Sequence, residues 1–291
     1  MSELSGKSKR SIMGSILPKA KPPKEDPTDT MSFLDHLEEL RWRIIKGVAG
    51  ILIGIIVAFF FSDFLIKEFI LGPARADFFM YEFISRIAPF EAVDLDLISR
   101  RLPGQFFTYW GTLLVMGVIL GSPLLIYQLW AFIEPALESS EKKKTALNAM
   151  FINFFFLLGI AFGYLILVPF AVQFFAQFVI DPVITNEFDI NAYFSSVAMW
   201  TFACGIIFQV PVISWFLSKV GLLDPDIMRK YRRHALIGSL LVGALLTPPD
   251  PLSQVLVAIP LVFLYQFSIL LSRIANRRRK KEMEAAFTGE S

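Results

Sequence analysis

The chain has 291 residues, of which 55% are hydrophobic, 19% are charged and 30 are Phe, and its mean hydropathy is +0.56. Soluble proteins carry about 25% charged residues, so this composition implies a polytopic membrane protein rather than a water-dispersed globule. One Cys and two His exclude a disulfide scaffold and a Cys/His metal cluster, and a net charge of +2 is too small for nucleic acid to be the main partner.

Residues 1–30 mix Lys, Pro, Glu and Asp without periodicity and are expected to be a disordered tail. No cleavable signal is expected ahead of the first span, because the run Ile12–Leu17 is too short for an apolar signal core. The first charge-free run is Gly47–Phe61, with Lys46 at its edge able to snorkel to the headgroups. Pro103–Ile133 follows with 31 uncharged residues, Thr145–Ile180 with 36 and Ile190–Ser218 with 29. Ala235–Pro249 has 15 and Pro251–Ser272 has 22. A span needs about 20 apolar residues, which predicts six transmembrane helices in an all-α protein. Phe78–Phe90 has apolar residues near helical spacing and is expected on the outer interface.

Lys and Arg set the orientation. Arg41 and Arg43, Lys142 to Lys144, Arg229 to Arg233 and Arg277 to Lys281 all fall on one side if the N-terminus is cytoplasmic. The opposite segments, 181–189 and 247–251, carry no Lys or Arg. Only the long first outer segment, with Lys67, Arg75, Arg86, Arg100 and Arg101, departs from the pattern. Both termini are thus expected in the cytoplasm.

The second to fourth runs exceed the ~30 Å hydrocarbon core at ~1.5 Å per residue and must tilt, bend or project. Pro123, Pro169 and Pro211 are the expected bend points. The fifth run reaches only ~22 Å, which predicts a thinned bilayer beside a short hairpin of the fifth and sixth helices. The tail from Asn276 is polar and expected to be loose.

Enzyme chemistry is not expected. His36 and His234 lie beside cytoplasmic helix ends rather than at bilayer depth, no two carboxylates lie within spans, and Cys204 stands alone in an apolar helix. The polar residues deep in spans are Asn153, Gln209, Gln254 and Gln266, none of which titrates. Interhelical hydrogen bonding is the simpler role for Asn153 and Gln266. Gln209, just before Pro211, and Gln254, close to Asp250, have an equal claim to function. On the cytoplasmic side, Glu38 and Glu39 open the first helix, and Glu134, Glu138 and Glu141 follow the second. These acids suit a helix start and a solvated loop, and they also suit a basic ligand whose guanidinium pairs bidentately with a carboxylate.

Four blocks carry a resemblance to a known family: HLEELRWRI from His36, SPLLIYQLWAFIEPAL from Ser122, FQVPV from Phe208 and LLTPPDPLSQVLVAIP from Leu245. In this order they resemble the TatC family, the polytopic core of the twin-arginine protein translocase, over residues 31–275, with residues 276–291 as a polar cytoplasmic tail. The resemblance implies six tilted helices forming a concave receptor. It implies recognition of twin-arginine signal peptides on folded cargo in an oligomeric complex of a bacterial inner membrane. TatA-like and TatB-like single-span partners are also implied, with transport driven by the proton motive force and no cofactor. The signal-binding carboxylates would be Glu39 and Glu141, with Leu37, Arg41 and Phe132 beside them. Gln209 and Pro211 would mark the cavity where the signal inserts, Gln209 standing where the family often has Glu. Asp250 and Gln254 would lie on the outer and partner-docking side. The alternative from another class is a proton-coupled transporter of a small solute, which would require midplane carboxylates.

Overall fold

The computed structural model describes residues 33–86, 91–133, 145–246 and 251–288. The chain divides into two compact units, residues 1–39 and 40–291, with the boundary inside the first helix. That helix, α1 (Phe33–Phe60), includes the HLEELRWRI segment and most of the apolar run that follows it in the sequence.

The long apolar runs are helical because a bilayer offers the backbone no hydrogen-bonding partner other than itself. α4 (Gly104–Ile133) accommodates Pro123 within its length. α5 (Thr145–Phe162) passes through a π turn, Gly163–Leu167, into α6 (Val168–Gln177). Pro169 cannot donate to the carbonyl one turn back, and the widened turn just ahead of it absorbs that mismatch. α7 (Ile190–Ile207) stops before Pro211, and α8 (Val210–Val220) restarts the same span. Two of the three expected bend points are therefore real interruptions, at Pro169 and Pro211.

Among the described residues, five helical stretches are long and apolar enough to cross a membrane: Leu37–Phe60, Gly104–Ile133, Ala146–Gln177, Ile190–Val220 and Val257–Lys281. The fifth run forms α10 (Arg232–Leu246), whose 15 residues fall short of that length. The expectation of a short sixth helix and a loose tail from Asn276 needs correction. α11 (Pro251–Thr288) is one helix of 38 residues. Past the apolar run, residues 277–286 are Arg, Lys, Glu, Met and Ala, all strong helix formers, and no Gly or Pro interrupts them.

Beyond the end of α1, α2 (Ser62–Phe64), a π turn Leu65–Ile70 and a 3₁₀ turn Gly72–Ala74 lead to α3 (Phe79–Ser85). α3 buries Tyr81 and Ile84 and turns Phe79 and Phe83 outward, which gives it the amphipathic character expected of Phe78–Phe90; residues 87–90 lie outside the described part. Two loops then meet: β1 (Leu97–Ile98) pairs in parallel with β2 (Phe188–Asp189). Gln173, 1% exposed, fastens the first loop to α6. Its Nε2 donates to the Val93 carbonyl at 2.9 Å, and its Oε1 accepts from the Val93 amide at 3.0 Å. The Tyr193 hydroxyl donates to the Ile70 carbonyl at 2.7 Å. Asp189 caps α7, accepting from the amides of Asn191 and Ala192 at 2.9 and 3.2 Å and from that of Arg100 at 3.2 Å.

Glycine faces hold the spans together. A Cβ on Gly121 of α4 would stand 2.7 Å from both the Gly50 oxygen and the Ile51 Cα of α1, and one on Gly54 would collide with the Gly117 carbonyl. Gly50 and Gly54 thus cross Gly117 and Gly121, two small-xxx-small pairs in mutual contact. Gly159 of α5 and Gly163, which opens the π turn, meet Thr201, Cys204 and Gly205 of α7 in the same way. A buried cluster of Phe155, Leu167, Cys204, Phe208, Val212, Val257, Leu261 and Leu264 then joins these helices to α8 and α11. The opposite faces of α1 and α4 leave Leu52, Ile53, Ile56, Phe106, Phe107 and Leu114 more than half exposed, the surface a lipid environment would cover.

Candidate functional site

The N-terminal part of α1 presents its residues unevenly. In the first unit, Leu37 and Glu38 are exposed and Glu39 is half-buried. In the second unit, Arg41 and Trp42 are exposed and Arg43 is half-buried. Leu37 in the first unit is 44% exposed, and Trp42 in the second is 53% exposed.

Phe132 lies half-buried in the last turn of α4. That end of α4 is anchored through Trp130, whose ring centroid lies 5.9 Å from those of Trp215 and Phe216 on α8. Glu141 and the preceding acids Glu134 and Glu138 lie outside the described residues.

The break between α7 and α8 gives Gln209 its position. The Gln209 amide donates to the Ile206 carbonyl at 3.0 Å in a tightened last turn. Helical bonding resumes from Ile213 to the Gln209 carbonyl at 2.9 Å. Pro211, buried in the first turn of α8, has no N–H to bridge the gap. On one side of the break Phe208 packs on Phe162, with ring centroids 5.4 Å apart. The Gln209 Nε2 is buried and has no hydrogen-bond partner among the described residues. An unsatisfied amide of this kind costs about 1–3 kcal/mol, which leaves Gln209 chemically unfinished in the described fold.

Gln254 is engaged within the chain: its Nε2 donates to the Leu240 carbonyl at 3.1 Å and ties α11 to α10. The α10–α11 pair exposes Leu241, Leu245, Ile259 and Phe263, each more than 60% accessible. Asp250 lies outside the described residues. Of the other polar residues in spans, Asn153 accepts from the Ser122 hydroxyl at 3.2 Å across α4 and α5, whereas Gln266 is exposed. Sequence reasoning missed the glycine crossings, although the spacing of Gly50 with Gly54 and of Gly117 with Gly121 was readable. It also missed Gln173, for which no local signal exists.

The profile of the family described as "Sec-independent protein translocase protein (TatC)" matches residues 35–260. The chain is 34% identical over 259 residues to the TatC protein of Blattabacterium sp. subsp. Periplaneta americana, covering 86% of this chain and 97% of the relative. It is also 34% identical over 255 residues to TatCy of Bacillus subtilis, covering 88% and 94%. The TatC protein of Aquifex aeolicus is 32% identical over 260 residues, covering 88% of this chain and all of the relative. A crystal structure described as the twin arginine translocase receptor TatC superposes with a TM-score of 0.61 at 31% identity, over 82% of this chain and 99% of that one. The same glycine-crossed, proline-interrupted helices thus come with sequence similarity along nearly the whole length of these relatives, and the chain belongs to the TatC family.

Proposed function

We propose that this protein is the receptor subunit of a twin-arginine translocase. The observation that carries this reading is the superposition, at 31% identity, on a solved twin arginine translocase receptor nearly all of whose length is covered. The charge-free runs support six spans, with the 15-residue α10 as the short fifth, and the Lys and Arg distribution supports both termini in the cytoplasm. In this arrangement Glu39 and Glu141 receive the paired arginines of a signal peptide, with Leu37, Arg41 and Phe132 contacting its flanking residues. The apolar part of the signal then inserts near the break at Gln209 and Pro211, where the Gln209 amide finds the acceptor it lacks. TatA-like and TatB-like helices pack on the exposed apolar side of α10 and α11, towards Gln254 and Asp250. The complex is oligomeric, needs no cofactor and draws on the proton motive force across a bacterial inner membrane.

Guanidinium selectivity follows from chemistry, since an ammonium cannot form the planar two-point contact with a carboxylate. The test is binding of a labelled twin-arginine peptide to the detergent-purified protein, alongside Glu39→Ala, Glu141→Ala and a twin-lysine peptide. Binding lost in both variants and weak for the lysine peptide is expected. Equal binding of the two peptides would sink the assignment. The rival, a proton-coupled solute transporter, would need titratable groups at bilayer depth. The apolar stretches Gly104–Ile133, Ala146–Gln177, Ile190–Val220 and Val257–Lys281 contain no Asp or Glu.

A further inference from the structure

The start of α10 and the middle of α11 line an open recess of about 200 Å³. Arg232, Arg233 and Gln266 give it a polar lining, and Leu236 and Val262 an apolar one. Both arginines are exposed, and neither is in an ion pair among the described residues; the nearby Arg229 pairs with Asp226 at 3.8 Å. The hydroxyl of Tyr265, also in the wall, is committed to the Met228 carbonyl at 2.9 Å, which keeps α9 (Pro225–Lys230) against α11.

Depth makes this recess unusual. α10 has 15 residues from Arg232 to Leu246, a rise of ~22 Å against a ~30 Å hydrocarbon core. If α10 crosses the bilayer as proposed above, its first residues lie ~8 Å inside the level reached by a full-length span. Two guanidinium groups held there gain by drawing a phosphate inward, since charged groups at that depth are costly without a partner. Gln266, which the function above does not use, supplies an amide donor beside them. A soluble acidic peptide could satisfy the arginines but would leave Leu236 and Val262 exposed, whereas a lipid satisfies both halves of the recess.

We propose that this recess is a binding site for an anionic phospholipid, its phosphate held by Arg232, Arg233 and Gln266 and one acyl chain lying along Leu236 and Val262. The inference goes beyond signal recognition and rests only on the six-span arrangement proposed above. Native mass spectrometry of the delipidated protein with added phosphatidylglycerol or phosphatidylcholine tests it. Wild type should hold one phosphatidylglycerol under conditions where phosphatidylcholine is lost. Arg232→Gln with Arg233→Gln should weaken retention by about thirtyfold, from two cationic contacts of ordinary strength. Arg277→Gln with Arg278→Gln, the same change in net charge outside the recess, should leave it unaltered. Leu236→Trp, which fills the apolar part of the lining and keeps both charges, should also release the lipid. Equal loss in the two double-Gln variants would reduce the effect to diffuse surface charge and overturn the site. Retention of phosphatidylcholine as strong as that of phosphatidylglycerol would overturn it too. Displacement of the lipid by millimolar inorganic phosphate or by an acidic peptide would assign the arginines to a soluble anion instead. Twin-arginine peptide binding, read on the same samples, reports separately on the function proposed above.

Discussion

Gly121→Ala is the sharpest test of the glycine crossing between α1 and α4. The added Cβ would lie 2.7 Å from the Gly50 oxygen and 2.7 Å from the Ile51 Cα, where relaxed carbon contacts need about 3.5–4.0 Å. Both obstacles are backbone, so no side chain can swing away and the helices must part by roughly 1 Å. A gap of that size forfeits about a quarter to a half of each dispersion contact along the seam, and overpacking of this kind costs about 1–3 kcal/mol. Alanine regains about 1 kcal/mol of helix propensity over glycine, leaving a net loss of up to about 2 kcal/mol. In lipid no hydrophobic force pulls helices together to compensate. Gly238 on α10 is the internal control, since an added Cβ there meets nothing within 4 Å; Gly238→Ala should be neutral or stabilise by up to about 1 kcal/mol. Thermal unfolding of the detergent-purified protein, followed by aggregation of a fluorescent fusion, reads both variants. A Gly121→Ala midpoint at or above wild type, or an equal fall for Gly238→Ala, would refute the close-crossing argument.

Gln173→Leu should strand the Val93 amide and carbonyl, cost about 2–3 kcal/mol, and expose residues 91–98 to protease in limited proteolysis. Asp189 follows a clear pH rule. Its partial desolvation works against the charge, but the amides of Arg100, Ala192 and Asn191 and the Asn191 side chain outweigh it and hold the carboxyl below its usual range. Its contribution is therefore complete above the ordinary carboxylate range and is lost as pH falls through the lowered native value. Asp189→Ala should be less stable than wild type at neutral pH, and the difference in unfolding midpoint should shrink on acidification. Gln209→Leu should leave the unfolding midpoint unchanged or raise it, because it removes a buried amide without a partner, while reducing transport of a twin-arginine reporter into inverted membrane vesicles. A fall in midpoint for this variant would mean that the amide is satisfied in the folded state.

Much of the architecture was legible in the chain. Helix type and the places of the long spans follow from charge-free runs, since lipid forces each segment to satisfy its own backbone. Pro169 and Pro211 announced their interruptions because a missing N–H acts locally. Pro123 did not interrupt α4, and the polar C-terminal stretch stayed helical, because a local preference is only one of the forces on a segment. The candidate site was legible as residue types in family order rather than as geometry. Gln209 looks merely polar in the sequence, and the burial of its side-chain amide depends on how the helices around the break pack.

What the sequence by itself determined, then, is where the chain meets lipid and where its charges gather, because transfer to hydrocarbon acts on each segment separately. The tertiary structure alone decided which glycines touch and which polar groups find partners. Asn153 is satisfied by Ser122, Gln254 by the Leu240 carbonyl and Gln173 by Val93, while the Gln209 amide has no such partner among the described residues. Packing and hydrogen bonding act over ångströms between residues as many as 123 positions apart, and no local pattern encodes those distances.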